Sequence, residues 1–159
     1  MSLLHHVIYQ SNVVAPLSGP ELGRLLEQAR FHNRLADITG VLLHDGSRFL
    51  QVLEGSPAAV AAVFARIRAD CRHTAVEVLA DGPVAHRQFA SWSMGLVDDV
   101  RQPAGAPGVA MACLQTVTDA ALWLLIREFQ ASAGQNLHPV AARKPVLLPG
   151  PAGRARPAF

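Results

Sequence analysis

The hydrophobic run "LLHHVIYQ", Leu3 to Gln10, predicts a first β-strand, and the spacing of apolar positions then changes. From Ser18 they recur at three, four and seven: Leu22, Leu25, Leu26, Ala29 and the polar Asn33 share one stripe of a helix. Ser18 and Glu21 stand at capping-box spacing at its start. Two strand-like runs, "ITGVLLH" and "RFLQVLE", flank Asp45-Gly46, a strong hairpin signal. Ser56-Pro57 opens a second helix with Val60, Val63, Phe64, Ile67 and Cys71 as its apolar stripe. "AVEVLADGPV" and "SWSMGLV" read as two more strands.

This order of elements predicts an α+β fold, a ferredoxin-like sandwich with a mixed sheet of about five strands. The two helices cover one sheet face. Leu42, Leu50 and Val52 are expected on the other, which needs cover of its own. After the link "QPAGAPG", the segments "VAMACLQTV" and "TDAALWLLIREFQA" predict short C-terminal helices for that role, the second capped by Thr118 or Asp119. The expected organisation is a domain over residues 1–98, a helical extension over 99–135, and a disordered Pro/Ala/Arg-rich tail over 136–159.

Three polar groups interrupt the apolar pattern. Gln51 shares a strand face with Phe49 and Leu53, Asn33 sits on the apolar stripe of its helix, and Tyr9 is the chain's single tyrosine. A buried amide without partners costs about 1–3 kcal/mol, so Gln51 requires a specific one. Singly, each has an ordinary reading. Tyr9 is a core tyrosine with its hydroxyl satisfied, Gln51 caps a helix end or binds a backbone carbonyl, and Asn33 stabilises a helix terminus. Trp92 and Met94, expected to alternate on the last strand, are ordinary packing. Together, two amides and a phenol facing the gap between sheet and helices suit a flat heteroaromatic ligand with carbonyl and ring N–H edges.

Composition narrows the classes. The 159 residues, half of them hydrophobic, suit one domain with an extension. The net charge is only +2 and no basic stripe is interleaved with aromatics, so no nucleic-acid partner is expected. Cys71 and Cys113 are too few for a disulfide framework or a thiolate metal site. His5, His6, His44 and His86 form no metal-ligand constellation, so no metal is expected. There is no GxGxxG phosphate loop. No apolar run reaches the ~18–20 residues that span a bilayer, and no signal-peptide pattern appears; a cytoplasmic protein without membrane association is expected.

The segments "VIYQS", "FHNRLADITGVLLHDGSRFLQVLEG", "VFARIRADCRHTAVEVL" and "HRQFASWSMGL" resemble the BLUF family, the "blue light using flavin" sensors, from Leu3 to about Val97. The combination N-x4-ITG, FLQVLEG and W-S-M-G carries the resemblance. It implies a flavin cofactor, FAD by preference, with FMN and riboflavin left open. It matches Tyr9 to the photoactive tyrosine, Gln51 to the switching glutamine and Asn33 to the asparagine that hydrogen-bonds the isoalloxazine edge. Arg66, Asp70, Arg72 and His73 match a region lining the ring edge, ribityl chain or phosphate. His32 flanks the ring, Leu25 and Ile67 give aliphatic contact to its faces, and Trp92 and Met94 match the pair that relays the change. The segment beyond Val97 is too short for the cyclase or phosphodiesterase domains of larger members. The expected protein is therefore a non-enzymatic, homo-oligomeric sensor whose output is light-dependent association with a downstream partner. Two rivals stand beside it: a light-insensitive interaction module of the same fold, and an acylphosphatase-like hydrolase using Asn33 and Arg66. The second lacks a phosphate-cradling loop in "SNVVAPLSGP".

Overall fold

A computed structural model of the chain describes residues 3–98 and 109–133. The elements are β1 (Leu4–Val13), α1 (Gly19–Leu35), β2 (Thr39–His44), β3 (Arg48–Gly55), α2 (Pro57–Arg68), β4 (His73–Val84), β5 (Gly95–Asp98), α3 (Val109–Leu114) and α4 (Ala120–Ala131). They build the five-stranded sheet β4-β1-β3-β2-β5. β1 runs antiparallel to both β3 and β4, β2 and β3 form the hairpin, and β5 adds parallel to β2. The sheet is mixed and the architecture is the ferredoxin-like sandwich.

Local chemistry fixes the starts. Ser18 and Glu21 form a complete capping box on α1, Ser56 caps α2 with Pro57 just inside, and Asp119 caps α4 by accepting from Leu122 N. In the hairpin, Asp45 Oδ1 accepts from the backbone N–H of Ser47 (3.0 Å) and Arg48 (2.7 Å), while Gly46 takes φ 92°. Gly40 answers to a close approach: a Cβ there would lie 1.9 Å from Val52 O.

Two cores sandwich the sheet. Leu22 and Leu26 of α1 and Val60 of α2 pack with Val7, Tyr9, Leu42 and Leu53 on one side. On the other, Ile8, Val41, Leu43, Leu50 and Val52 pack with Cys113, Leu114, Leu122, Ile126 and Phe129. The C-terminal helices thus supply the cover that the second face requires.

Three expectations change. Leu42 belongs to the α1/α2 side, because it pairs directly opposite Gln51 and opposite residues share a face. Cys71 leaves the α2 stripe: the helix ends at Arg68 and Cys71 is exposed in the turn after it. The last strand begins only at Gly95, so Trp92 and Met94 precede it. There the carbonyls of Ser93 and Met94 accept from the Asn33 and Arg30 side chains at 2.7 and 2.9 Å, which takes them from the ladder. The link "QPAGAPG" and the tail over 136–159 lie outside the described residues. Among those described, no helix is long and apolar enough to cross a membrane.

Candidate functional site

A cleft of about 220 Å³ opens between α1 and α2 above the central strands. Tyr9 and Gln51 line it from the sheet, Leu25, His32 and Asn33 from α1, Arg66 and Ile67 from α2, and Asp70, Arg72 and His73 from the turn into β4. The three polar groups of the sequence pattern and the further residues that the resemblance implied around the ring thus surround one cleft. Gln28, Ala29, Leu42, Phe49 and Val63 also line it, although the sequence pattern does not mark them as site residues. Ala29, Phe49 and Val63 carry a signal that could have found them, since they continue the stripes and the strand face that hold Leu25, Gln51 and Ile67.

Strand register builds the centre of the site. Tyr9 on β1 pairs directly with Gln51 on β3, and its hydroxyl donates to Gln51 Oε1. Gln51 Nε2 in turn donates to Met94 Sδ at 3.5 Å. A thioether is a weak acceptor, so a buried amide donor is left with poor satisfaction at the cleft. Asn33, 2 % exposed, uses side-chain Nδ2 to donate to Ser93 O, while its backbone carbonyl accepts from Ile38 N. Met94 is buried on the cleft side of the sheet, whereas Trp92 packs into the opposite core with the C-terminal helices. The pair thus lies on opposite sides of the sheet.

Charged groups gather toward the turn. Hydrogen bonds from Arg72 hold the Asp70 carboxyl below the usual range, outweighing the opposing effect of burial. His73 places Nε2 2.7 Å from Ile67 O, which can only accept, so Nε2 carries the proton; Nδ1 lies 2.8 Å from Ser11 Oγ. Among the described residues Arg66 has no ion-pair partner and remains available to an anion.

Burial, with a smaller contribution from the charge of Asp70, pushes the Tyr9 phenol well above its ordinary value. Its ring stacks obliquely on Phe64 at 5.3 Å between centroids. Tyr9 is therefore a neutral donor to Gln51. Because it is the single tyrosine, an ultraviolet titration reads it alone. The phenolate band should stay absent through pH ~10, where an ordinary tyrosine is half ionised. The linked effect on stability has a definite sign: the raised folded-state value stabilises the fold below pH ~10, and that contribution is lost as pH climbs toward the folded value. A phenolate growing near pH 10 in folded protein would contradict this placement.

The cleft has aliphatic walls at Leu25, Val63 and Ile67, an amide–phenol floor whose outer donor lacks a strong acceptor, and at Arg66 a guanidinium without an ion-pair partner among the described residues. These residues fit a planar ring system with carbonyl edges and an anionic extension. Fold and cleft define an α+β sandwich domain that binds a flat heteroaromatic cofactor. The chain belongs to the BLUF family, sensors of blue light using FAD, whose family model matches residues 4–95. It is thus a blue-light photoreceptor domain that uses flavin.

The similarities agree with this. The chain is 37 % identical over 87 residues to the photoactivated adenylate cyclase subunit beta of Euglena gracilis, covering 54 % of this chain and 10 % of the cyclase. It is 34 % identical over 97 residues to the blue light- and temperature-regulated antirepressor BluF of Escherichia coli K12, covering 60 % of this chain and 24 % of the antirepressor. Among solved structures, BlrP1 of Klebsiella pneumoniae with FMN and cyclic diGMP superposes with TM-score 0.72 at 30 % identity, over 86 % of this chain and 37 % of that one. The dark-state structure of BlrB, a BLUF protein, gives TM-score 0.62 at 30 % identity, over 83 % of this chain and 98 % of that one. The chain spans about a tenth of the length of the cyclase it matches.

Proposed function

We propose that Tyr9 and Gln51 form the photochemical switch of this sensor, and that the residues lining the α1/α2 cleft hold the flavin, FAD by preference. The observation that carries this reading is the chain of contacts Tyr9–Gln51–Met94 at the cleft. Asn33 offers its carbonyl oxygen to a ring N–H, Leu25 and Ile67 contact the ring faces, and His32 flanks it. Arg66, with Arg72 and His73, serves the ribityl and phosphate end, and Asp70 keeps Arg72 in place.

Flavin excited by blue light supplies an acceptor strong enough to oxidise a phenol. Tyr9 gives up one electron, and its hydroxyl proton moves to Gln51 Oε1, the acceptor already in contact. Electron and proton then return to Tyr9, so no net oxidation remains. What persists is the Gln51 amide, rotated, tautomerised or both, presenting a stronger donor to the ring. The readout is a small red shift that reverts thermally.

One rearranged hydrogen bond is worth about 0.5–1.5 kcal/mol net, so it biases only an element already close to balance. The segment with Trp92 and Met94 is that element here. Residues 1–98 act as the sensor, and α3 and α4 pass its state to a protein partner or to a second copy of the chain in the cytoplasm.

Purified protein should carry flavin at about one per chain and shift its absorption reversibly under blue light. Chromatography of the released cofactor separates FAD from FMN and riboflavin. Protein that stays colourless after reconstitution with flavin would favour the light-insensitive module and overturn the reading.

A further inference from the structure

Outside the cleft, the loop between β4 and β5 is fastened to the C-terminal helices by a second set of polar contacts. Glu54, near the end of β3 on the sheet face opposite Gln51, is 1 % exposed. Its carboxylate accepts from the backbone N–H groups of Gln88 at 2.7 Å and Phe89 at 3.0 Å. Gln88 is buried and turns Oε1 toward the start of α4. That oxygen accepts from Thr118 N (2.7 Å), Thr118 Oγ1 (3.2 Å) and Asp119 N (3.1 Å). The Gln88 carbonyl also accepts from Thr116 Oγ1 at 2.6 Å.

The far end of α4 is held separately. Arg48 Nη2 donates to Phe129 O at 3.1 Å and Ser132 Oγ at 3.0 Å, and its guanidinium lies 4.5 Å from the Phe129 ring centre. One end of α4 is therefore tied to the hairpin. The other is tied to the loop whose later residues, Ser93 and Met94, are gripped by Asn33 and Gln51.

We propose that Gln88 is the latch of the light signal, a positioning residue whose side-chain oxygen holds the N-terminal end of α4 in the dark and lets go when the 89–94 segment shifts. It rests on the Gln51 switch proposed above. Three donors converge on one oxygen, so a displacement of about 1 Å stretches all three past hydrogen-bonding distance together. Water replaces them, and the amides of Thr118 and Asp119 lose their protection. Arg48 keeps the other end docked, so α4 swings on that end and the surface around Trp123 is re-presented to a partner.

Site-resolved amide exchange on the full flavin-loaded chain, in dark and under blue light, tests this. In the wild type, Thr118 and Asp119 should exchange about tenfold or more faster in light, while Ile126 and Phe129 stay slow in both states. Gln88→Met removes the acceptor from a residue outside the cleft. It should form the red-shifted state with normal amplitude, yet show fast exchange at both amides in the dark and no further change in light. Gln88→Glu keeps acceptor oxygens for the same donors and should restore dark protection and the light response. If the wild type shifts its spectrum with no change at Thr118 and Asp119, or Gln88→Met keeps the light-induced change, the latch is wrong and the photosensor reading stands. If the wild type shows no red shift, the switch itself fails and the latch falls with it. Should Gln88→Met not fold, the wild type and Gln88→Glu decide the matter.

Discussion

Tyr9→Phe is expected to fold, bind flavin and show no red-shifted state under blue light. Phenylalanine fills the same space between Phe64 and the strand, so the walls of the cleft survive. Two things are lost. The ring no longer has an ionisable hydroxyl to release a proton to Gln51 Oε1, and it becomes a much poorer electron donor. No other tyrosine exists in the chain to take over. Trp92 packs on the opposite sheet face, against the core shared with the C-terminal helices. The variant also strands the Gln51 oxygen, with a stability loss of about 1–3 kcal/mol by denaturant titration. A light-minus-dark spectrum like that of the wild type would remove Tyr9 from the donor role.

Why is so much of this site readable along the chain? The α1 and α2 stripes and the hairpin turn are local signals, and they carry Leu25, Asn33 and Ile67 to the correct helix faces. The period of two does the same for Gln51. Pairing is another matter. That Tyr9 lies directly opposite Gln51 depends on the β1–β3 register, a contact between residues far apart in sequence, which no local pattern states. The pattern of buried polar groups brings the two residues to one gap, but only the register places them side by side.

Where local reading fails, long-range polar contacts are responsible. "SWSMGLV" has strand composition, but Asn33 and Arg30 take its carbonyls and Glu54 takes the N–H groups of Gln88 and Phe89 just before it. Its first four residues become an anchored loop while Gly95 to Val97 stay in β5, and Trp92 and Met94 separate to opposite sides of the sheet. Leu42 differs from expectation by parity alone, which in a strand moves a side chain to the other face. Glu54 reads in sequence as the polar end of a hydrophobic run. Its burial under the loop is a tertiary fact, and so is the Gln88 clamp on α4.

Gln51→Leu should abolish the red shift as completely as Tyr9→Phe, for a complementary reason. Leucine has neither donor nor acceptor, so it cannot receive the Tyr9 proton, contact Met94 Sδ, or alter a hydrogen bond to a bound ring. Alone, the change leaves the Tyr9 hydroxyl buried without its partner, at about 1–3 kcal/mol of stability. The double variant Tyr9→Phe/Gln51→Leu should be closer to wild-type stability than the sum of the two singles predicts. Replacing both members of a buried hydrogen bond by apolar groups of similar shape leaves nothing unpaired, and contacting pairs couple by about 0.5–3 kcal/mol. Denaturation of all four proteins gives that coupling energy, and spectra of the same samples give the light response. Additive losses would mean that Tyr9 and Gln51 do not share the hydrogen bond on which the switch depends. A red shift in Gln51→Leu would mean that the amide is not the moving part.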